Sequence, residues 1–148
     1  GLGVAAIGLA VAAFGAGGFL YVMVAHHLVR ILGERGLCTW GGTGLGIAFA
    51  AMALAPTAEV EFAAIVLSGV SFYMFHNTLQ LNATQMTPHA RGTAVSLFAC
   101  ALFVGNAAGA ASAAALAPVL GSGVVLAAGG LAFGALGAFF GWAVRALR

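Results

Sequence analysis

The chemistry-bearing residues of this chain crowd into one stretch: Tyr73, His76, Asn77, Thr78, Gln80, Asn82, Thr84 and Gln85. At 100° per residue, Tyr73, His76, Asn77, Gln80 and Thr84 share one helical arc about 100° wide, and Ser71, Thr78, Asn82 and Gln85 form a second stripe. These groups exchange hydrogen bonds. His76 alone among them titrates near neutral pH. Such a face can bind a polar solute, or it can bond across helices and hold a bundle together. The inner-end residues Asn82, Thr84 and Gln85 read as packing groups, whereas Tyr73, His76, Asn77 and Gln80 read as a polar cavity face. Asn106, between Gly105 and Gly109, is placed either to bond a neighbouring helix or to join the same cavity.

The surroundings of that face are oily. Of the residues, 63% are hydrophobic and 5% charged, with mean hydropathy +1.11. A soluble domain carries about 25% charge, so the composition describes an all-α protein of the membrane. About 20 apolar residues span a bilayer, and five stretches meet that length: 8–32, 37–55, 62–86, 93–118 and 124–144. Between them lie Gly33 to Gly36, Pro56 to Glu59, Pro88 to Gly92 and Pro118 to Gly123, all built on the strongest local breakers. Along the third stretch, His76 is about 18 Å from Pro88 and about 21 Å from Phe62 at a rise of about 1.5 Å per residue, which puts it near the midplane.

The charges orient these spans. Arg30 and Arg35 fall at the first connection, Arg91 at the third, and Arg145 and Arg148 after the fifth span; Glu59 and Glu61 occupy the second. With alternating spans, all the arginines share one side. The positive-inside rule makes that side cytoplasmic, with the C-terminus inside. The second and fifth spans, poor in polar residues, read as peripheral. Gly130 to Gly134 and Gly137 to Gly141 repeat the GxxxG spacing that admits close helix packing, chiefly within the molecule.

Other chemistry is missing from the pattern. No acidic or basic residue lies mid-span, so a carboxylate proton relay is not expected here. Cys38 and Cys100 are far apart without metal-binding spacing. His26 and His27 lie at a different depth from His76, which argues against paired haem ligation. No nucleophile–base pair or phosphate-cradling loop is present, and no enzyme, cofactor or metal is expected.

Two connections carry a resemblance. His27-Leu28-Val29-Arg30-Ile31-Leu32-Gly33-Glu34-Arg35-Gly36 resembles a degenerate copy of the loop motif of the major facilitator superfamily, a glycine turn followed by basic residues, with Arg30 where an aspartate is usual. Gly69-Val70-Ser71-Phe72-Tyr73, His76-Asn77-Thr78-Leu79-Gln80 and the run from Thr87-Pro88-His89-Ala90-Arg91-Gly92 to Ser96 look similar to the tenth helix and its connection in bacterial efflux-permease-like members. The resemblance covers essentially the whole chain as helices eight to twelve of a twelve-helix bundle. It implies an incomplete C-terminal transmembrane domain over residues 1–148 of a multi-pass bacterial inner-membrane transporter. It further implies a small-molecule substrate, proton coupling, and the missing N-terminal half of the same transporter as partner within the lipid bilayer; nucleic acid plays no part. The first, third and fourth spans would line the cavity. Tyr73, His76, Asn77, Gln80 and Asn106 would meet substrate, while Arg30, Gly33, Arg35, Arg91 and Gly92 would form cytoplasmic gating loops. A non-transporting membrane scaffold or partner subunit is the alternative from another class.

Overall fold

The computed structural model describes residues 3–86 and 88–146. Thr87, Arg148 and the Arg145 side chain lie outside the described residues. Helix α1 spans Val4–Leu54, α2 Ala58–Met86, α3 Arg91–Leu120 and α4 Ser122–Ala146, with a short 3-10 turn, Pro88–Ala90, before α3. All four helices are long and apolar enough to cross a membrane. Large apolar side chains such as Val11, Phe19, Met23, Leu131 and Phe139 stand exposed. That outward surface is what a helical membrane protein presents to hydrocarbon.

The sequence predicts five separate stretches, and the structure arranges the first two differently. They fall within α1, whose 51 residues would run about 76 Å if straight, more than twice the roughly 30 Å of a hydrocarbon core. The helix is interrupted at Gly33, with φ 60° and ψ 178°. This is backbone territory essentially reserved for glycine. Glu34, Arg35 and Gly36, expected in a loop, are helical, so the interruption needs one residue rather than four.

The two arms of α1 run along α2 in opposite senses. On the first arm Gly17 meets Gly69, Gly18 meets the Tyr73 ring, and Tyr21 reaches Asn77. On the second, Gly41 meets Phe75 and Gly44 meets Ser71. The second arm also lies antiparallel to α4: Gly42 faces Gly137, Gly46 faces Gly130, and Ala53 approaches Gly123. Hence the residues from Leu37 to Ala48, expected at the periphery, supply much of the core. Leu37, Cys38, Gly41, Gly42, Leu45 and Ala48 are all buried. The reason is size: glycines show no polar signal, but they let two backbones close in on this arm from both sides.

Around these seams, Tyr21, Leu37 and Met74 form one apolar cluster, and Cys38, Leu45 and Phe75 another. Phe75 meets Phe140 edge-on at 6.0 Å between centroids, and Phe49 meets Phe133 at 5.5 Å. The GxxxG residues of α4 are used internally, Gly130, Gly137 and Gly141 against α1. The opposite face of α4, with Leu131, Phe139 and Trp142, is outward. Helix α3 has no buried residue.

Candidate functional site

Helix α2 carries the polar face, and its own sequence explains its length. At its start, Glu59 and Glu61 place negative charge in the first turn, where the helix dipole favours it, and Thr57 hydrogen-bonds to Glu59. No proline interrupts the helix before Pro88. The small residues Ala64, Ser68, Gly69 and Ser71 are buried, which brings α2 close against α1 and fixes how the rest of the helix is rotated.

That rotation leaves Asn77, Gln80, Leu81 and Thr84 along an open groove of about 300 Å³. Their spacing, i, i+3, i+4 and i+7, is one helical face. At the end nearer the α2 N-terminus, Asn77 is hydrogen-bonded to Tyr21 of α1, a polar link across two helices. Beside it lies an aromatic array. The His76 imidazole stacks on Phe72, with centroids 5.3 Å apart and planes 8° from parallel, and Phe98 of α3 lies 5.3 Å away at 45°. Tyr73 packs over Gly18 and among Phe14 and Phe72, at 6.0 and 5.6 Å. His76 therefore has flat apolar neighbours on α2 and α3, and it is half-buried.

Three polar residues other than Tyr73, His76, Asn77 and Gln80 bond within α2. Thr78 donates to the Met74 carbonyl at 2.8 Å, Asn82 to that of Thr78 at 2.9 Å, and Thr84 to that of Leu81 at 2.7 Å. Back-bonding of this kind satisfies a hydroxyl or amide without a second helix. Interhelical bonding by Asn82 and Thr84, expected from their polarity, is replaced by these bonds to the helix backbone.

The expected substrate-contacting residues thus separate. Asn77 and Gln80 line the groove; Tyr73 and His76 sit in the adjoining aromatic array; Asn106 stands exposed on α3, away from the groove's lining. Thr84, which reads from the sequence as a packing residue, joins the groove. Tyr21, Phe72 and Phe98 were missed as site neighbours. A lone tyrosine in an apolar span was the available signal for Tyr21; the two phenylalanines had none, because nothing distinguishes them from lipid-facing ones.

Of the expected gating residues, Arg30, Arg35 and Arg91 are exposed and Gly33 makes the α1 interruption. Gly92 lies inside α3 with open space where a Cβ would stand, and the turn is made by Pro88–Ala90 instead. His26 and His27 meet each other edge-on at 5.7 Å. Among the described residues, no three His, Cys, Asp or Glu side chains come together as a metal site would need. Comparison of the chain with protein-family models, with curated proteins and with solved structures finds no match.

Proposed function

We propose that this chain is the C-terminal part of a secondary active transporter of the major facilitator type, exporting a small solute by alternating access with proton coupling. In this reading the two arms of α1 are separate crossings, so that five helices correspond to helices eight to twelve of a twelve-helix bundle in a bacterial inner membrane. Their opposite senses along α2 support that count. The observation that carries the functional reading is the groove: an amide-lined face on a membrane-length helix, beside a half-buried histidine. Polar groups at such depth are costly, and substrate paths are where they recur. Tyr73, His76, Asn77 and Gln80 would meet solute or cavity water, with Asn106 brought in as the cavity closes. Rocking of helices about a midplane site would open it to either side. Arg30, Arg35 and Arg91, with Gly33 and Gly92, would hold the cytoplasmic loops when that side shuts.

The scaffold alternative needs polar side chains that tie helices together. Asn77 does tie α2 to Tyr21 of α1, but the bonds of Thr78, Asn82 and Thr84 stay inside α2, which weighs against a stripe built mainly to join helices. Water access separates the two. In a background with Cys38→Ala and Cys100→Ala, Asn77→Cys should react in membranes with a membrane-impermeant maleimide. In the intact protein, His76→Ala and Asn77→Ala should each lower flux into proteoliposomes while insertion is kept. A protected cysteine at position 77, with unchanged flux in both variants, would favour the scaffold.

A further inference from the structure

We propose that the groove on α2 binds an uncharged solute whose edge carries both a hydrogen-bond donor and an acceptor, as a carboxamide does. The inference rests on the transport reading for the fate of the solute, and on the groove itself for its chemistry.

The starting point is Gln80. It is half-buried, lines the groove, and hydrogen-bonds to none of the described residues. At a rise of about 1.5 Å per residue it lies about 12 Å from Pro88, well within a span of about 30 Å. A primary amide there has two donors and an acceptor oxygen to satisfy, and they stand open to the groove, since among the described residues no buried side-chain polar atom lacks a partner. Asn77, one turn away, spends one bond on Tyr21 and keeps the rest. Thr84 gives its hydroxyl proton to the Leu81 carbonyl, so its oxygen can only accept. The face therefore offers donors and acceptors together, with Leu81 as an apolar wall.

Charge is what the lining lacks. None of Asn77, Gln80, Leu81 and Thr84 ionises, so an ammonium or carboxylate placed here would gain no counter-ion from α2 and would still lose its water. His76, on the next position of α2, has the Phe72 and Phe98 rings against it on two sides. The groove is open and its described lining comes from α2 alone, so it holds one edge of a solute and leaves the rest outside. A small neutral molecule with an amide-like edge fits all of these.

Three probes of one shape test the charge rule: nicotinamide (neutral), nicotinate (negative) and 1-methylnicotinamide (positive). Equilibrium binding of each, radiolabelled, is measured on the intact protein in phosphatidylcholine vesicles. Nicotinamide should bind at least about tenfold more tightly than either ion, the scale of one buried polar group left unpaired. Gln80→Met, which keeps the length and loses the amide, should cost nicotinamide about the same factor, and Thr84→Val a smaller one. Gln80→Glu should move the preference to the cation. Equal or better binding of an ion, no binding of any probe, or indifference of nicotinamide to both Gln80→Met and Thr84→Val would overturn the proposal. Binding with the expected selectivity but no flux would remove the transport reading alone. Flux of charged and neutral probes alike would remove this inference alone.

Discussion

Two sides of the second arm of α1 and of α2 are built on opposite rules. Where the second arm meets α2 and α4, the contact residues are glycines and backbones nearly touch. A Cβ added at Gly137 would stand 2.6 Å from the Gly42 Cα, and one at Gly41 2.9 Å from the Phe75 Cβ. Where α2 faces the groove and α3, the residues are amides, hydroxyls and rings, half-buried and spaced apart, and α3 itself buries nothing. Without a hydrophobic drive between helices in lipid, close van der Waals contact is what associates them. The seam is accordingly the mechanical frame, and the polar face is left loose enough to be occupied.

The largest effect should come from breaking the seam. Gly42→Val puts its side chain into the Gly137 backbone and the Phe133 carbonyl, the latter 2.7 Å from the added Cβ. Backbone cannot step aside as a side-chain tip can, so a loss of about 3 kcal/mol is expected, the upper end for overpacking. Cys38 supplies the readout, because it is fully buried in this seam while Cys100 is exposed on α3. In a Cys100→Ala background in detergent micelles, maleimide labelling of Cys38 reports local opening. Gly42→Val should speed it about a hundredfold, which is the same energy expressed as a ratio. An unchanged rate would mean that the seam is not what protects the thiol.

A smaller loss should follow from Gly33→Ala, which acts on the frame through the backbone alone. No neighbour lies within 4 Å of an added Cβ there, so any cost comes from φ 60° and ψ 178°. That region costs a non-glycine residue of order 1–3 kcal/mol. About 2 kcal/mol is expected in the same labelling assay, because straightening α1 would withdraw the second arm from the seam. Gly36→Ala, inside the helix and against only the Leu32 side chain, is the control that should cost less.

Much of this division was legible in the residues, and the limits have physical causes. Hydropathy located the apolar stretches, and the polar run located the face, because both are local properties. Gly33 was marked as a breaker, but its neighbours Glu34 to Gly36 looked like loop and are helix: a single left-handed residue suffices to end one arm and begin the next. The central place of the second arm was not legible from polarity, since what buries Gly41, Gly42 and Ala48 is the absence of bulk, not the presence of a signal. The split of Asn77 and Gln80 from Tyr73 and His76 was equally hidden. All four share one arc on a helical wheel, and only the position of α1 and of Phe98 decides which of them stay open. Asn106 shows the converse: beside Gly105 and Gly109 it is placed by sequence to bond a neighbouring helix or join the cavity, yet an added Cβ at either glycine meets nothing.

That last contrast gives the smallest expected effect. If packing, not glycine spacing, defines the seam, Gly109→Ala on α3 should change the Cys38 labelling rate by less than about twofold, within the ±0.5 kcal/mol typical of substitutions away from contacts. A modest gain in α3 helicity is expected, since alanine exceeds glycine in helix propensity by up to about 1 kcal/mol. Gly137→Ala, identical in chemistry, meets the Cys38 carbonyl at 3.0 Å and the Gly42 backbone, and should be the damaging member of the pair. Equal effects of the two would place a second close-packed seam on α3 and erase the distinction between frame and open face.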